Sequence, residues 1–132
     1  MLTDLRIVLP NRPGTLVRFC EALAEAGLNV EGVTGDIRPG ETWGFIHVVV
    51  EDCARAKEIA EDMGLQITSE HEVEMTTLEN RPGALAETLR AYREREENIE
   101  VLYFGSNNQL VVGSESMRKE KRGVRVEDAE YR

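Results

Sequence analysis

The tetrapeptide Asn11-Arg12-Pro13-Gly14 returns unchanged as Asn80-Arg81-Pro82-Gly83, 69 residues later. Each copy ends a β-prone stretch and opens a helical one. Each is also followed, 18 residues after its Asn, by another asparagine, Asn29 and Asn98. Such self-similarity constrains the architecture before local propensity does, because it means that one small unit is used twice. In 132 residues the units are expected at 1–68 and 69–132. Units of about 65 residues bury a modest share of their surface. The halves are therefore expected to pack together, and whole chains to associate as a homodimer or higher homo-oligomer.

In the first copy, Leu5, Ile7 and Leu9 alternate with Asp4, Arg6 and Val8, a period-two strand pattern. Pro10–Gly14 breaks it, and Pro13 fits the first position of a helix. Leu16, Phe19, Cys20, Leu23 and Ala26 recur at helical spacing, with Cys20 read as a small packed hydrophobe, and Gly27 fits a left-handed cap. A second strand is expected from Asn29-Val30, a type II turn at Arg38–Glu41, and a third strand from Trp43 to Val50, with Trp43 in a core or interface. A helix through Ala56, Ile59, Ala60 and Met63 and a fourth strand from Leu65 complete the order β-α-β-β-α-β, the split βαβ arrangement of ferredoxin-like folds.

The second copy repeats this order: strand Val73–Leu78, a helix through Leu85, Leu89 and Tyr92, strand Asn98–Phe104, a tight turn at Ser106–Asn108, and strand Gln109–Gly113. A shortened helix is expected over Ser116–Arg122 and a short strand over Gly123–Val126. Alternation before the second turn selects Val73, Met75 and Thr77, one residue out of step with Leu5, Ile7 and Leu9. Either a bulge or a first strand covered on both faces would reconcile the two.

Net charge is −9, from 25 acids against 16 bases, which disfavours a nucleic-acid partner because phosphate binding relies on Lys and Arg. The longest apolar run is far short of the ~20 residues of a membrane span, so no membrane association is expected. Met1 leads into a charged strand with no apolar signal core, and Cys20 and Cys53 form no metal-spaced pair. A cytoplasmic setting follows as the expectation, with no metal and no cofactor.

The chemistry is expected at the repeated turn. A Pro-Gly pair lets the backbone bend sharply and approach a ligand, and the first-turn amides of the next helix lack intrahelical partners at its positive end. Gly14, Thr15 and Leu16, and Gly83, Ala84 and Leu85, would supply these donors to a carboxylate. Asn11 and Asn80 add a donor and an acceptor each, which suits an amino acid. The competing reading is that each Asn caps its helix, a preference shared by all proteins.

A strand, Asn-Arg-Pro-Gly, an apolar helix and then Gly27-Leu28-Asn29-Val30, with Glu97-Asn98-Ile99 in the second copy, resembles the ACT domain, a small-molecule sensor attached to many enzymes of amino-acid metabolism. The resemblance implies an α+β fold of two ferredoxin-like ACT units in tandem, antiparallel sheets with helices on one face. It implies ligand contacts from Asn11, Arg12, Pro13, Gly14, Thr15, Leu16, Asn29 and Val30, and from Asn80, Gly83, Ala84, Leu85, Asn98 and Ile99, at interfaces between domains. Serine-sensing relatives carry a His two residues before the motif. Leu9 and Leu78 stand there in this chain, which points to a more apolar ligand.

No acid–base pair, nucleophile constellation, GxGxxG, Walker loop or HExxH occurs. The expected function is non-enzymatic: binding an amino acid or related metabolite and regulating amino-acid metabolism. The alternatives are a regulatory subunit acting on a metabolic enzyme in trans, or a purely structural oligomerisation module.

Overall fold

Alternating polar and apolar residues would ordinarily give a half-buried strand, yet β1 (Thr3–Pro10) is buried on both faces along nearly its whole length. A computed structural model of the chain describes residues 1–118 and shows why. β1 lies inside a four-stranded antiparallel sheet whose two faces are both covered.

The elements after β1 are α1 (Thr15–Glu25), β2 (Gly32–Asp36), β3 (Trp43–Val50), α2 (Cys53–Asp62), β4 (Gln66–Glu72), β5 (Glu74–Thr77), α3 (Ala84–Glu94), β6 (Ile99–Phe104) and β7 (Gln109–Ser114). The first sheet has the order β2-β3-β1-β4 and the second β5-β7-β6. The fold is α+β and ferredoxin-like. The run β5-α3-β6-β7 repeats the element order and sheet order of β1-α1-β2-β3. No helix among the described residues is long and apolar enough to cross a membrane.

One face of the first sheet sends Leu5, Ile7, Leu9, Ile46, Val48 and Val50 against Phe19 and Leu23 of α1 and Ala56, Ile59 and Ala60 of α2. Burying side chains of this size stabilises by about 1.5–3 kcal/mol each. The second sheet packs Leu110 and Val112 under Tyr92 of α3. The remaining faces meet each other through Val49, Val73, Val101 and Val111. The layers therefore run helices, sheet, sheet, helix.

The two sheets cross rather than align. Along β6, Glu100 Oε1 lies 2.9 Å from His71 Nε2 of β4, the Tyr103 hydroxyl donates to Asp4 of β1, and the Tyr103 ring stands 5.9 Å from that of His47 on β3. Gly105, just past β6, bridges Gly32 of β2. Those partners follow the spatial order β4, β1, β3, β2, so β6 runs across all four strands, as in orthogonal sheet packing.

This seam is partly polar. Asp4 is fully buried, with one oxygen accepting from Tyr103 and the other 2.9 Å from His47 Nδ1. Arg6 lays its guanidinium over Phe45, 4.3 Å from the ring centre, and donates to Thr68 Oγ1 at 3.2 Å. The out-of-step alternation is thereby accounted for. Asp4 and Arg6 share the seam-facing side with their counterparts Val73 and Met75, and the helix-facing counterparts of Leu5 and Ile7 are Glu74 and Thr76.

Three expectations are corrected. Cys20 is exposed because the buried stripe of α1 runs through Thr15, Phe19 and Leu23. Trp43 is 54% exposed in the single chain, so it stands outside the core, while its interface alternative concerns contacts between chains. Glu115–Met117 form a single 3-10 turn rather than opening a helix at Ser116. The Glu97 carboxylate accepts from Ser114 Oγ at 2.7 Å and Ser116 N at 3.2 Å, and Arg118 then extends to bridge His71. The rest of that expected helix, and the strand expected over 123–126, lie outside the described residues.

Candidate functional site

The two Asn-Arg-Pro-Gly turns have nearly the same backbone. Gly14 has φ 92° and ψ −16°, and Gly83 has φ 90° and ψ −16°, a left-handed conformation suited to glycine. Arg12 N donates to Pro10 O at 2.9 Å and Arg81 N to Glu79 O at 3.0 Å. Arg18 N and Glu87 N each reach back to the turn glycine's carbonyl at 3.0 Å.

The geometry revises three expectations. The glycines hold the N-cap positions, so Pro13 and Pro82 precede the helix instead of opening it. Asn11 and Asn80 lie three residues upstream of the cap, and neither helix has a side-chain cap hydrogen bond. Among the expected donors, Thr15 N and Ala84 N are committed to Arg12 O and Arg81 O at 3.3 Å, and both residues are buried. The amides of Gly14 and Leu16, and of Gly83 and Leu85, have no backbone acceptor among the described residues.

The side chains then separate the two copies. Asn11 is strapped to the loop before β3: its N donates to Thr42 O and its Nδ2 to Glu41 O, both at 2.9 Å. Asn80 makes no side-chain hydrogen bond among the described residues. Arg81 is held by Glu87 at 2.8 and 2.9 Å and lies 3.5 Å from Glu79. Glu87 thereby keeps its carboxyl below the usual carboxylate range, through its hydrogen bond and charge interaction with Arg81. In the first copy, Arg18 stands at the position of Glu87 and Pro10 at that of Glu79. Arg12 has no acid at either position and no side-chain partner among the described residues. One turn is cationic and open, and the other neutralises itself.

Asn29 and Val30 precede β2 rather than opening it. Asn29 lines a cleft of about 540 Å³ together with Gly27, Leu28, Glu31, Glu51 and Asp52. Its Nδ2 donates to Glu31 Oε2 at 2.8 Å. Asp52 is engaged as the cap of α2, accepting from Arg55 N at 3.1 Å. The cleft also receives the C-terminal end of α1, where a Schellman closure joins Leu28 N to Leu23 O at 2.9 Å. The cleft thus carries the carboxylates of Glu31 and Glu51 beside the end of α1, while Asp52 is matched to the positive end of α2 that it caps.

The counterpart Asn98 is tied to Glu115, whose Oε1 accepts from Asn98 N and whose N donates to Asn98 O, both at 3.0 Å. Val30 and Ile99 pack against the two cores. Leu9 and Leu78 are buried, so they do not reach the surface of either turn.

The structure does not bring Asn11 and Asn29 together within one sheet. Pro10 pairs with Trp43 and Gly32 with Val49, six residues apart along β3, or about 20 Å. The turn lies at one end of the sheet and the cleft at the other. The sequence reading missed Arg18, Glu87, Glu31 and Glu51. The signal available for the first two was the charge reversal at matching positions of the repeat.

Among known proteins, the ACT domain family model matches residues 3–63, from the start of β1 to the end of α2. The fold is similar to that of protein BT0572 from Bacteroides thetaiotaomicron, with a TM-score of 0.70 and 26% identity over 86% of this chain and 78% of that one. It is also similar to the regulatory subunit of aspartate kinase from Thermus thermophilus in its ligand-free form, with a TM-score of 0.63 and 20% identity over 86% of this chain and 82% of that one. The corresponding subunit from Thermus flavus gives a TM-score of 0.56 at 20% identity, with 86% and 82% covered. At 20% identity these two likenesses are of fold. A search of the curated proteins finds no match.

Proposed function

We propose that this chain is a pair of ACT units in tandem, joined between β4 and β5, that acts without catalysis as a sensor of an amino acid or related metabolite. The carrying observation is the charge arrangement of the first unit. Its turn offers two amides, Arg12 and Arg18 at one end of the sheet, and its cleft offers Glu31, Glu51 and the end of α1 at the other. An amino acid is a zwitterion. Its carboxylate suits the turn and its ammonium suits the cleft.

The two ends are about 20 Å apart in one sheet, so a single unit does not close both around one small ligand. Two chains related by a two-fold axis place the turn of one against the cleft of the other, because a self-complementary interface pairs unlike patches reciprocally. The proposed site is therefore Asn11, Arg12, Pro13, Gly14 and Leu16 with Arg18, facing Asn29 and Glu31 of a second copy. Asn80, Gly83, Leu85 and Asn98 line the matching surface of the second unit, where Glu87 already occupies Arg81.

Thermal-shift and calorimetric titration with all twenty amino acids tests this reading. A ligand of the folded state raises Tm by mass action, and Arg12→Ala combined with Arg18→Ala should abolish the shift while Arg81→Ala preserves it. No shift with any amino acid at millimolar concentration would remove the proposal.

The second reading is a regulatory subunit acting on a metabolic enzyme in trans. It is supported by the fold shared with the aspartate kinase regulatory subunit over 86% of the chain. Co-purification of an enzyme with the chain from its native source distinguishes the two.

A further inference from the structure

We propose that the turn Gly105–Asn108 of the second unit is the positioning element of the first unit's cleft, with Asn108 the residue that holds it in place. The inference rests on the reading of that cleft as half of a ligand site. It adds that the second copy, whose own turn is self-neutralised, serves the first.

Glu31 is fixed from two sides. Its N donates to Val49 O in the first sheet at 2.8 Å, and its carbonyl accepts from Ser106 N of the second unit at 2.8 Å. Asn29, the other polar residue of the cleft wall, is bonded to the Glu31 carboxylate. The lateral placement of this pair is therefore set by Ser106.

The approach is close enough to require glycine at 105 and leaves little slack at Gly32. A Cβ on Gly105 would lie 2.7 Å from Glu31 O and 2.7 Å from Met75 Cε, and one on Gly32 would lie 3.3 Å from Gly105 Cα. Neither backbone has room to retreat, since Gly32 and Gly105 also form a bridge.

The turn is held from behind by one residue. Asn107 and Asn108 have φ of 54° and 59°, the two left-handed residues of a type I′ hairpin, which Asn tolerates better than most side chains. Asn108 then grips Leu78 twice: its carbonyl accepts from Leu78 N at 3.4 Å and its Nδ2 donates to Leu78 O at 2.9 Å. Leu78 directly follows β5 and leads to Asn80. Four residues thus tie the second Asn-Arg-Pro-Gly turn to the cleft that carries Asn29. The loop Arg38–Thr42 occupies the same place in the first unit. It straps Asn11 through Glu41 O and Thr42 O, both in its own unit.

The test is Asn108→Gly in the full chain, since glycine keeps the left-handed backbone and removes the side-chain grip. Asn107→Gly is the control. Amide exchange and the Asn29 side-chain NH2 resonance are read by NMR without any ligand. Asn108→Gly should speed exchange about tenfold at Ser106 as well as at Leu78, the loss of one hydrogen bond, and should shift the Asn29 resonance, whereas Asn107→Gly does neither. Faster exchange at Leu78 with Ser106 and Asn29 unchanged would overturn the proposal. Because no ligand is added, that outcome leaves the sensor reading standing, whereas a failed amino-acid titration removes the ligand site and leaves only the coupling of the turn to Glu31 and Asn29.

Discussion

Glu87 grips Arg81 through both carboxylate oxygens, at 2.8 and 2.9 Å, whereas the matching pair in the first turn, Arg18 and Arg12, carries like charges. The backbones of the turns agree, so the difference lies in their side chains: in this charge, and in the strapping of Asn11 to Glu41 O that Asn80 lacks among the described residues.

The Glu87 carboxyl should titrate below the ordinary carboxylate range, and Arg81→Ala should return it there, as read by carbon-detected NMR against pH. A depressed folded pKa contributes stability above the unfolded value and loses it as pH falls through the folded value. The second turn should therefore loosen at acid pH, and the first should show no matching transition. An Arg81→Ala chain with Glu87 unmoved would contradict the pairing.

Glu96→Gly should stabilise the protein. Glu96 occupies the helix-closing position of Gly27 with φ 56°, and Glu97 N bonds Tyr92 O at 3.0 Å as Leu28 N bonds Leu23 O. A side chain held left-handed costs about 1 kcal/mol relative to glycine. The gain should appear as a Tm higher by a few degrees, and a lower Tm would show that the Glu96 side chain has a compensating contact.

Most of the architecture was legible because the repeat fixed it. Trp43–Val50 was bounded correctly, and the tight turn at Ser106–Asn108 was read from its asparagines. The helix starts were misplaced by proline. Pro13 is compatible with a first helical residue, but the left-handed Gly14 that follows it delays the helix to Thr15. Cys20 was assigned inward because helical spacing alone does not separate adjacent residues at the margin of a stripe. The crossing of the two sheets left no signal in periodicity, since Asp4 and Arg6 read as solvent-facing until Tyr103 and Phe45 are placed beside them. Asn11 and Asn29 were grouped by their spacing, yet β1 and β2 run parallel on either side of β3, so the end of β1 and the start of β2 fall at far ends of the sheet.

Alkaline titration should show tyrosines that resist ionisation. Burial, with Glu74 beside it, pushes Tyr92 up to about 12, and burial with the Asp4 charge raises Tyr103 further. A raised folded pKa gives stability that is complete below the unfolded value near 10 and is lost as pH climbs through the folded value. The tyrosinate signal of Tyr92 and Tyr103 should thus rise steeply only with unfolding, and Tyr103→Phe should lower stability at neutral pH by about 1–3 kcal/mol, as Asp4 loses a partner in a buried setting. Ionisation of both tyrosines near 10 with the fold intact would refute the placement.

Gly113→Ala should destabilise the chain. The added Cβ would meet His71 Nδ1 at 2.8 Å and Val73 Cγ1 at 3.1 Å. His71 has little freedom to yield, with Nδ1 2.7 Å from Glu72 O and Nε2 2.9 Å from Glu100. Overpacking of this kind costs about 1–3 kcal/mol, seen as a lower denaturant midpoint with an unchanged slope. Combining it with His71→Ala should recover part of the loss, and strict additivity would rule out the clash.

The transverse course of β6 makes the two halves inseparable. A chain severed after Glu72 would strip Asp4 of Tyr103 and leave Val49 bare to water on a broad flat surface. Expression of either half by itself should return an insoluble or misassembled product, because each sheet is the floor on which the other rests.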